Sequence, residues 1–279
     1  MCHVLNVSPS GYYAWKKRST SAHHERDQVL ARWIVRSYSE SGGTYGYPRV
    51  HADLRLSYGI STSRKRVARL MRALGLAGTH RRRRPLGVTR RDPRRPVAPD
   101  LVRRAFCPKA PNRLWVADIT QHPTAEGWLY LAAIVDAFSR RVVGWSMAAH
   151  LKADLVVDAL MMAVRHRTPG AGLIHHSDHG AQYTSLVFGQ ALAQAGITPS
   201  MGSVGDALDN AMAESFFATL QTELLDRHPW PTRQLLRSAI FEYIEVFYNR
   251  RRRHSALGYL SPDEFERRWL TASDPAIAS

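Results

Sequence analysis

Two acidic residues lie in contrasting settings within the stretch 173–220. Asp178 follows a short apolar run at 173–174, where a strand would end and turn. Glu214 lies inside a segment whose apolar residues recur with the spacing of an amphipathic helix. Thirty-five residues separate the two acids. The chain must therefore bring a strand end and a helix face together if the two carboxylates are to act jointly.

A third acid, Asp118, lies within the apolar, β-rich run LWVADITQH. Burial of a lone carboxylate in such a run costs free energy unless a positively charged group lies beside it. Three carboxylates suit one divalent cation or a pair, since Mg²⁺ is held by a few carboxylates and leaves positions open for phosphate oxygens. The sequence therefore predicts a carboxylate metal site for a phosphate-containing substrate.

The segments around these acids predict a mixed sheet. Three strands with hairpin-length links favour an antiparallel meander, and helices then alternate with two further strands. The predicted strands are 114–120, 128–138, 141–147, 173–175 and 197–201, and the predicted helices are 153–166, 185–195, 206–224 and 232–248. The order is βββαβαβα, an α/β fold whose helices flank a five-stranded sheet, and we expect this domain to span residues 110–270.

The charge balance points to a polyanionic partner. The 279 residues include 39 Lys and Arg against 23 Asp and Glu, a net charge of +16, which favours nucleic acid first and acidic membranes second. No apolar run approaches the roughly 18 to 20 residues of a membrane span, so the membrane alternative is set aside. With only Cys2 and Cys107, neither a disulfide framework nor a thiolate zinc site is expected, and a reducing cytoplasm fits.

The amino-terminal part, 1–79, is predicted to be helical. A helix over 49–56, a tight turn at 57–59 and a helix over 62–74 capped by Ser61 form a helix-turn-helix candidate. The second helix is basic, and we expect Arg64, Lys65 and Arg69 in particular to contact DNA. An ordinary helical hairpin with a solvated basic face is the alternative, and the net charge favours the DNA-binding interpretation.

Two further segments are strongly cationic. Residues 80–109 form a predicted linker, which holds eight arginines and four prolines within residues 80–99 and could lie along phosphates. We expect DNA contacts here from Arg81, Arg82, Arg83 and Arg84. A second cluster follows the last predicted helix and comprises Arg250, Arg251, Arg252 and Arg253, which are also expected to contact DNA. Residues 271–279 are assigned to a tail.

Several motifs, taken together, resemble a known family. They are WVADIT, GWLYLAAIVDAFSRRVVGWSM, HSDHGAQYTS, GDALDNAMAESFFATL and YNRRRRHSALGYLSP, with VLNVSPSGYYAW and YGYPRVHADL near the start. They resemble the successive signatures of the OrfB transposase subunit of bacterial insertion sequences. The element order and the spacing of 35 residues are similar to the ribonuclease H-like catalytic core of DDE transposases and retroviral integrases.

The resemblance implies a role for each acid. Asp118, Asp178 and Glu214 would be the catalytic ligands of Mg²⁺, two ions in number, with Mn²⁺ able to substitute. The activity would be cleavage and strand transfer at element ends, with double-stranded DNA as end and target substrate. Asn210 would orient Glu214 or contact DNA. The expected partners are an OrfA protein, joined as an OrfAB frameshift fusion, and further copies of the chain on DNA, in the bacterial cytoplasm.

One position departs from the family pattern. A Lys or Arg usually follows the glutamate by seven residues, two helical turns along the same face, where it meets terminal DNA phosphates. Here that residue is Gln221, which can donate a hydrogen bond but brings no charge. A nuclease of the same fold that hydrolyses without joining, and a non-catalytic DNA-binding protein, remain as alternative functions at this point.

Other residues compete for roles near the acids. Asp136, in the middle of the second predicted strand, is the best rival for the third ligand, although the resemblance favours Glu214. His175, His176 and His179 could form a zinc site with Asp178, but zincin-type spacing is missing. His176 is expected instead to be a hydrogen-bonding neighbour of the metal site.

Overall fold

The amino-terminal helices form a unit of their own in the computed structural model of the protein. The structure describes residues 2, 4–17, 20–80, 98–102, 106–202 and 211–273, which divide into one unit up to residue 78 and a second from residue 79. The helices of the first unit are α1 (Pro9–Lys17), α2 (Ala22–Glu40), α3 (Tyr47–Tyr58) and α4 (Arg64–Ala73). None of the helices in the described ranges is long and apolar enough to cross a membrane.

The turn between α3 and α4 is longer than the sequence suggested. Gly59 ends α3 in the left-handed region, with φ at 66°, a conformation that glycine adopts without a steric penalty. The cap of α4 is Ser63, whose hydroxyl accepts a hydrogen bond from the backbone N–H of Arg66 at 3.2 Å. The predicted cap at Ser61 was therefore wrong by two residues, because residues 59–63 form the turn.

Two arginines of α4 are engaged inside the first unit. Arg66 donates to one carboxylate oxygen of Asp27 at 2.7 Å, and Arg69 donates to the other at 2.5 Å. These hydrogen bonds, that of Arg69 first, lower the pKa of Asp27 to about 2. Asp27 lies on α2, so this double ion pair fixes α4 against α2. The exposed cations on the first turn of α4 are Arg64 and Lys65.

The second unit contains a mixed five-stranded sheet. Its strands are β1 (Leu114–Thr124), β2 (Gly127–Asp136), β3 (Val142–Ala148), β4 (Ile174–Ser177) and β5 (Thr198–Met201), in the spatial order β3-β2-β1-β4-β5. The first three strands pair antiparallel, and β4 pairs parallel with both β1 and β5. The helices after β3, β4 and β5 are α5 (Ala153–Arg167), α6 (Leu186–Gln194) and α7 (Ala211–Glu223). The predicted βββαβαβα order and the ribonuclease H-like sheet are confirmed.

The sheet buries a separate apolar cluster on each face. Alternation along β1 directs Trp115 and Ala117 to one face and Val116 and Asp118 to the other. The Trp115 cluster takes its helical residues from α5 and α6. The Val116 cluster takes them from α7 and from α8 (Arg233–Glu242). Asp118 therefore lies on the face that α7 covers.

The carboxy-terminal part holds a helix that the sequence reasoning missed. After α8 the chain continues through a π-helical segment, Tyr243–Tyr248, and a 3-10 turn, Ser255–Leu257, into α9 (Pro262–Ser273). Glu266 of α9 accepts hydrogen bonds from Arg167 at 2.7 and 2.9 Å and from Ser139 at 2.6 Å. These contacts attach α9 to the end of α5 and to the β2–β3 connection.

Two arginines predicted to contact DNA are buried instead. Arg252 is 4% exposed and donates to both carboxylate oxygens of Glu223, at 2.7 and 2.6 Å. Arg253 is 3% exposed and donates to Glu264 at 2.6 Å. The prediction of a surface cluster over 250–253 was wrong for these two residues, because each is enclosed with an acid. Arg250 and Arg251 remain exposed.

Replacement of Arg252 by alanine is expected to lower the free energy of unfolding by about 3–5 kcal/mol, because Glu223 would be left buried without its counter-charge. Urea unfolding followed by circular dichroism measures the change. Arg250→Ala, at an exposed neighbouring position, is the matched control and should shift stability by less than about 0.5 kcal/mol. Similar stability of the two variants would show that Arg252 is not structural.

Candidate active site

Strand register brings Asp118 and Asp178 side by side. In the parallel pairing of β1 with β4, Leu114 is opposite Ile174 and Val116 is opposite His176. Continuing that register by two residues aligns Asp118 with Asp178, directly after the last residue of β4. Adjacent strands are about 4.8 Å apart, so the two carboxylates lie at neighbouring positions in the middle of the sheet, where β4 ends beside β1.

Backbone hydrogen bonds hold both of these carboxylates. Asp118 accepts from the N–H of Ile119 at 2.7 Å, and Asp178 accepts from the N–H of Gly180 at 2.9 Å. A Cβ atom at Gly180 would lie 2.9 Å from the same oxygen of Asp178, closer than ordinary van der Waals contact. A side chain at position 180 would therefore displace the Asp178 carboxylate from its present orientation.

Glu214 approaches from the helix that covers this face. It lies in the first turn of α7, and its neighbours Met212, Ala213 and Phe216 are buried against the sheet. Glu214 itself is exposed. The helix therefore anchors its apolar side in the core and leaves this carboxylate at the open margin of the site.

The three acids interact electrostatically. The pKa of Asp118 is raised to about 7, first by burial and then by the negative charge of Asp178, with a smaller contribution from Glu214. Partial burial also raises the pKa of Glu214. Within the described residues, no ion pair involves any of the three. Mutually repelling carboxylates without a cationic partner are a donor set that suits a hard divalent cation.

The acids do not form a closed cage. In the part of the chain that the structure describes, no three His, Cys, Asp or Glu side chains are gathered tightly enough to hold an ion as they stand. Asp118 and Asp178 are fixed by their backbone contacts, whereas Glu214 is on an exposed helix turn. The arrangement is a pair of carboxylates held by backbone hydrogen bonds, with a third carboxylate on the helix that covers the same face.

Comparison with known proteins assigns the chain to a family. It matches the Integrase core domain over residues 108–207, a second Integrase core domain family over 195–262, and an HTH-like domain over 24–84. It is 41% identical to an Insertion element IS600 31 kDa protein of Shigella sonnei, covering 96% of this chain and 98% of the relative. It is 39% identical to Transposase InsF for insertion sequence IS3A of Escherichia coli, covering 97% and 94%.

The chain belongs to the IS3 family of insertion-sequence transposases. Among solved structures, the HTLV-2 integrase catalytic core domain in complex with magnesium is similar, with 18% identity and a TM-score of 0.43, over 57% of the transposase and 98% of that chain.

Asp136 is a structural residue of the transposase core. It is fully buried and accepts backbone hydrogen bonds from Asn112 at 2.7 Å and from Phe138 at 2.9 Å. Arg167 lies 3.9 Å from its carboxylate. Asp136 is opposite Trp115, three residues along β1 from Asp118. One of its oxygens is held by the β2–β3 turn and the other by the backbone just before β1, on the face opposite Asp118, which leaves it unsuited as the third acid of the site.

Two of the histidines beside Asp178, His175 and His176, are not placed to share a zinc ion. His175 is buried between Tyr183 and Phe188, on the face opposite Asp118, and burial lowers its pKa to about 3. His176 is on the other face of β4, and its Nδ1 lies 3.0 Å from the hydroxyl of Ser200. Because consecutive strand residues point in opposite directions, the two rings cannot share an ion.

The predicted DNA-contact residues fall into distinct groups. Those outside the described residues are Arg81, Arg82, Arg83, Arg84 and Asn210. Gln221 is partly buried on α7, two turns after Glu214, and its amide donates to the carboxylate of Asp226. At this position the transposase therefore presents a neutral amide that is already paired with an acid.

Tyr183 is a residue near the site that the sequence reasoning did not single out. Its hydroxyl is buried and, within the described residues, has no hydrogen-bond partner. Burial, followed by the charges of Asp118 and Asp178, raises its pKa well above the ordinary value. The only signal in the sequence was its place in HSDHGAQYTS, five residues after Asp178.

Asp118→Asn is expected to stabilise the transposase in buffer free of divalent cations at pH 8. The pKa of Asp118 rises from 3.8 to about 7 on folding, so the folded state holds this proton more tightly. Stability of the wild type should therefore fall as the pH rises from about 4 to about 7, and the asparagine variant should lack that loss. Each kcal/mol regained raises Tm by about 2–4 °C.

The measurement is differential scanning fluorimetry at pH 4 and pH 8 for both proteins. Asp158→Asn, an exposed carboxylate on α5, is the control and should track the wild type. A difference in Tm between Asp118→Asn and wild type that is the same at both pH values would contradict the raised pKa.

Proposed function

We propose that Asp118, Asp178 and Glu214 are the metal ligands with which this transposase cleaves and joins DNA. The observation that supports this most is the alignment of Asp118 with Asp178 on adjacent parallel strands, together with the raised pKa of Asp118. Glu214 contributes to that pKa from α7 across the same face. The cofactor would be Mg²⁺, as two ions, with Mn²⁺ able to substitute.

The chemistry is a pair of in-line displacements at phosphorus. In the first, water attacks the phosphodiester at the element end, the new O–P bond forms as the old one breaks, and a 3′-OH is released. In the second, that 3′-OH attacks a phosphodiester of the target, the target's own O–P bond breaks with release of a target 3′-OH, and the two DNAs are joined. Bound divalent cations would supply Lewis-acid stabilisation for the charge on the attacking and leaving oxygens.

The side chains of the transposase would position the metal ions and the DNA and supply charge, and none of them would form a covalent intermediate. The N–H groups of Ile119 and Gly180 hold the carboxylates of Asp118 and Asp178 in fixed orientations. Glu214, at the exposed margin, would complete the ligand set as DNA arrives. A preorganised donor set of this kind needs little rearrangement during the reaction.

DNA contacts are proposed on both units. Arg64 and Lys65 on α4 would face DNA, because Arg66 and Arg69 are held by Asp27. The arginines at 81–84 would follow the phosphate backbone. On the second unit, Asn210, Gln221 and the exposed Arg250 and Arg251 are proposed to meet the element end.

The proposed assembly extends beyond this chain. We propose that an OrfA protein, as a separate partner or within an OrfAB frameshift fusion, contributes to recognition of the element ends. Two ends must be brought together for transposition, so copies of the transposase would associate on DNA. The bacterial cytoplasm, where chromosomal DNA is the target, would be the compartment.

Asp178→Asn should abolish joining and leave DNA binding almost unchanged. The substitution removes a metal ligand but none of the positively charged side chains that would contact DNA phosphates. Joining activity is expected to fall by more than about 100-fold, since loss of an outer-shell partner of a metal ligand alone costs about 10- to 100-fold. A strand-transfer assay on labelled element-end duplexes with Mg²⁺ measures it, and Asp158→Asn is the control. Retained joining in Asp178→Asn would refute the ligand assignment.

Gln221→Lys should tighten binding to element-end DNA, most clearly when combined with Asp226→Asn. The lysine alone would pair with Asp226, which now accepts the hydrogen bond of Gln221. In the double variant the added charge should increase the slope of log affinity against log salt by about 1. Asp226→Asn alone is the control, and an unchanged slope in the double variant would place Gln221 away from the phosphates.

A further inference from the structure

A cleft of about 520 Å³ lies between the tip of the β1–β2 hairpin and the loop that follows α7. One wall contains His122 and Pro123, and the other contains His228, Trp230 and Pro231. Its volume is within the range of small-molecule pockets, and its chemistry is mainly aromatic and prolyl. None of the roles proposed above uses these residues.

The walls of the cleft are fixed to one another. The indole N–H of Trp230 donates to the carbonyl of Leu225 at 3.0 Å, which sets the plane of the ring. The carbonyl of Trp230 accepts from the N–H of Ala125 at 3.0 Å. Arg233 donates to the carbonyls of Trp128 at 3.0 Å and of Glu126 at 2.6 Å, and so attaches the start of α8 to the hairpin. The cleft is therefore preformed.

The cleft lies on the same face of the sheet as the acids. His122 is four residues beyond Asp118 on β1, an even number, so the two side chains point to the same side. At about 3.3 Å per residue they are about 13 Å apart. The other wall continues from α7, the helix that carries Glu214. β1 therefore carries Asp118 and one wall of the cleft, and the chain that leaves α7 after Glu214 forms the other wall.

The chemistry of the walls suits a flat aromatic group. Proline has no N–H, so Pro123 and Pro231 offer the occupant faces rather than hydrogen-bond donors. Trp230 offers a ring of fixed orientation, and two histidines lie at the rim. Stacking on such a surface depends little on which base is present, because every nucleobase has a π-face.

We propose that this cleft holds one nucleobase, displaced from the duplex, of the DNA strand that occupies the active site. The inference rests on the proposed DNA chemistry of the acids. Stacked nucleotides are spaced about 3.4 Å apart, so the base would lie within about four nucleotides of the scissile phosphate. Capturing it would unpair the element end and fix the strand relative to Asp118 and Asp178.

The test is a double-mutant cycle between Trp230 and the DNA. Binding of the full chain is measured by fluorescence anisotropy, without divalent cations, on element-end duplexes with a single abasic site moved through the terminal six positions. On intact DNA, Trp230→Ala should weaken binding by about 5- to 150-fold, the range for loss of one base–aromatic stack. On the duplex that lacks the captured base, the same substitution should have no effect.

The controls separate stacking from folding. Trp230→Phe keeps a ring and should bind intact DNA nearly as the wild type does. Phe241→Ala removes an exposed aromatic ring from α8, outside the cleft, and should show no coupling to any abasic position. If Trp230→Ala lowers the affinity equally for the intact duplex and for every abasic duplex, Trp230 only stabilises the fold and the proposal is overturned.

Two further outcomes distinguish this site from the proposed function. If the wild type joins DNA with Mg²⁺ but no position couples to Trp230, the cleft does not hold a base, and the assignment of the acids stands. If one position couples but the wild type does not join even when an OrfA protein is added, the cleft is supported and the assignment of the acids fails. If Trp230→Ala loses self-association while its DNA binding is unchanged, the cleft binds a second copy of the chain and the proposal is overturned.

Discussion

Repulsion between neighbouring carboxylates is the constraint that the core of this transposase accommodates. Asp118 and Asp178 are held side by side by the pairing of β1 with β4, and burial and mutual repulsion together raise the pKa of Asp118 to about 7. The fold withstands this because large apolar clusters on both faces fix the strands. A bound divalent cation would relieve the repulsion between the two carboxylates, so this repulsion favours metal binding.

The arginines of this chain serve two different purposes. Those that are enclosed, Arg167, Arg252 and Arg253, each have an acid within hydrogen-bonding distance and act as internal ties. Those that are exposed, such as Arg64 and Arg250, supply the positive field that steers a polyanion. A large positive net charge therefore overstates the number of cations available to DNA. Burial and pairing decide which of the arginines in a cluster can reach a phosphate.

The sequence predicted the core well because apolar periodicity and short links determine a meander followed by alternating helices and strands. It also indicated Asp178 at a strand end and Glu214 on a helix. It could not separate Arg252 and Arg253 from Arg250, since their acids lie 29 and 11 residues away and one belongs to α9, whose charged composition hid it. The cleft was equally hidden, because its two walls are more than a hundred residues apart and are joined by hydrogen bonds of Arg233 and Trp230.

The position of α9 has a consequence for synthesis and for damaged copies of the gene. Glu264 and Glu266 on α9 are the counter-charges for Arg253 and Arg167, which both precede α9 in the chain. These ion pairs can therefore form only after α9 has been synthesised. A nonsense mutation upstream of codon 262 would leave those guanidinium groups without their carboxylates. Such a fragment would be less stable than the full chain, because a buried charge that loses its partner costs about 3–5 kcal/mol.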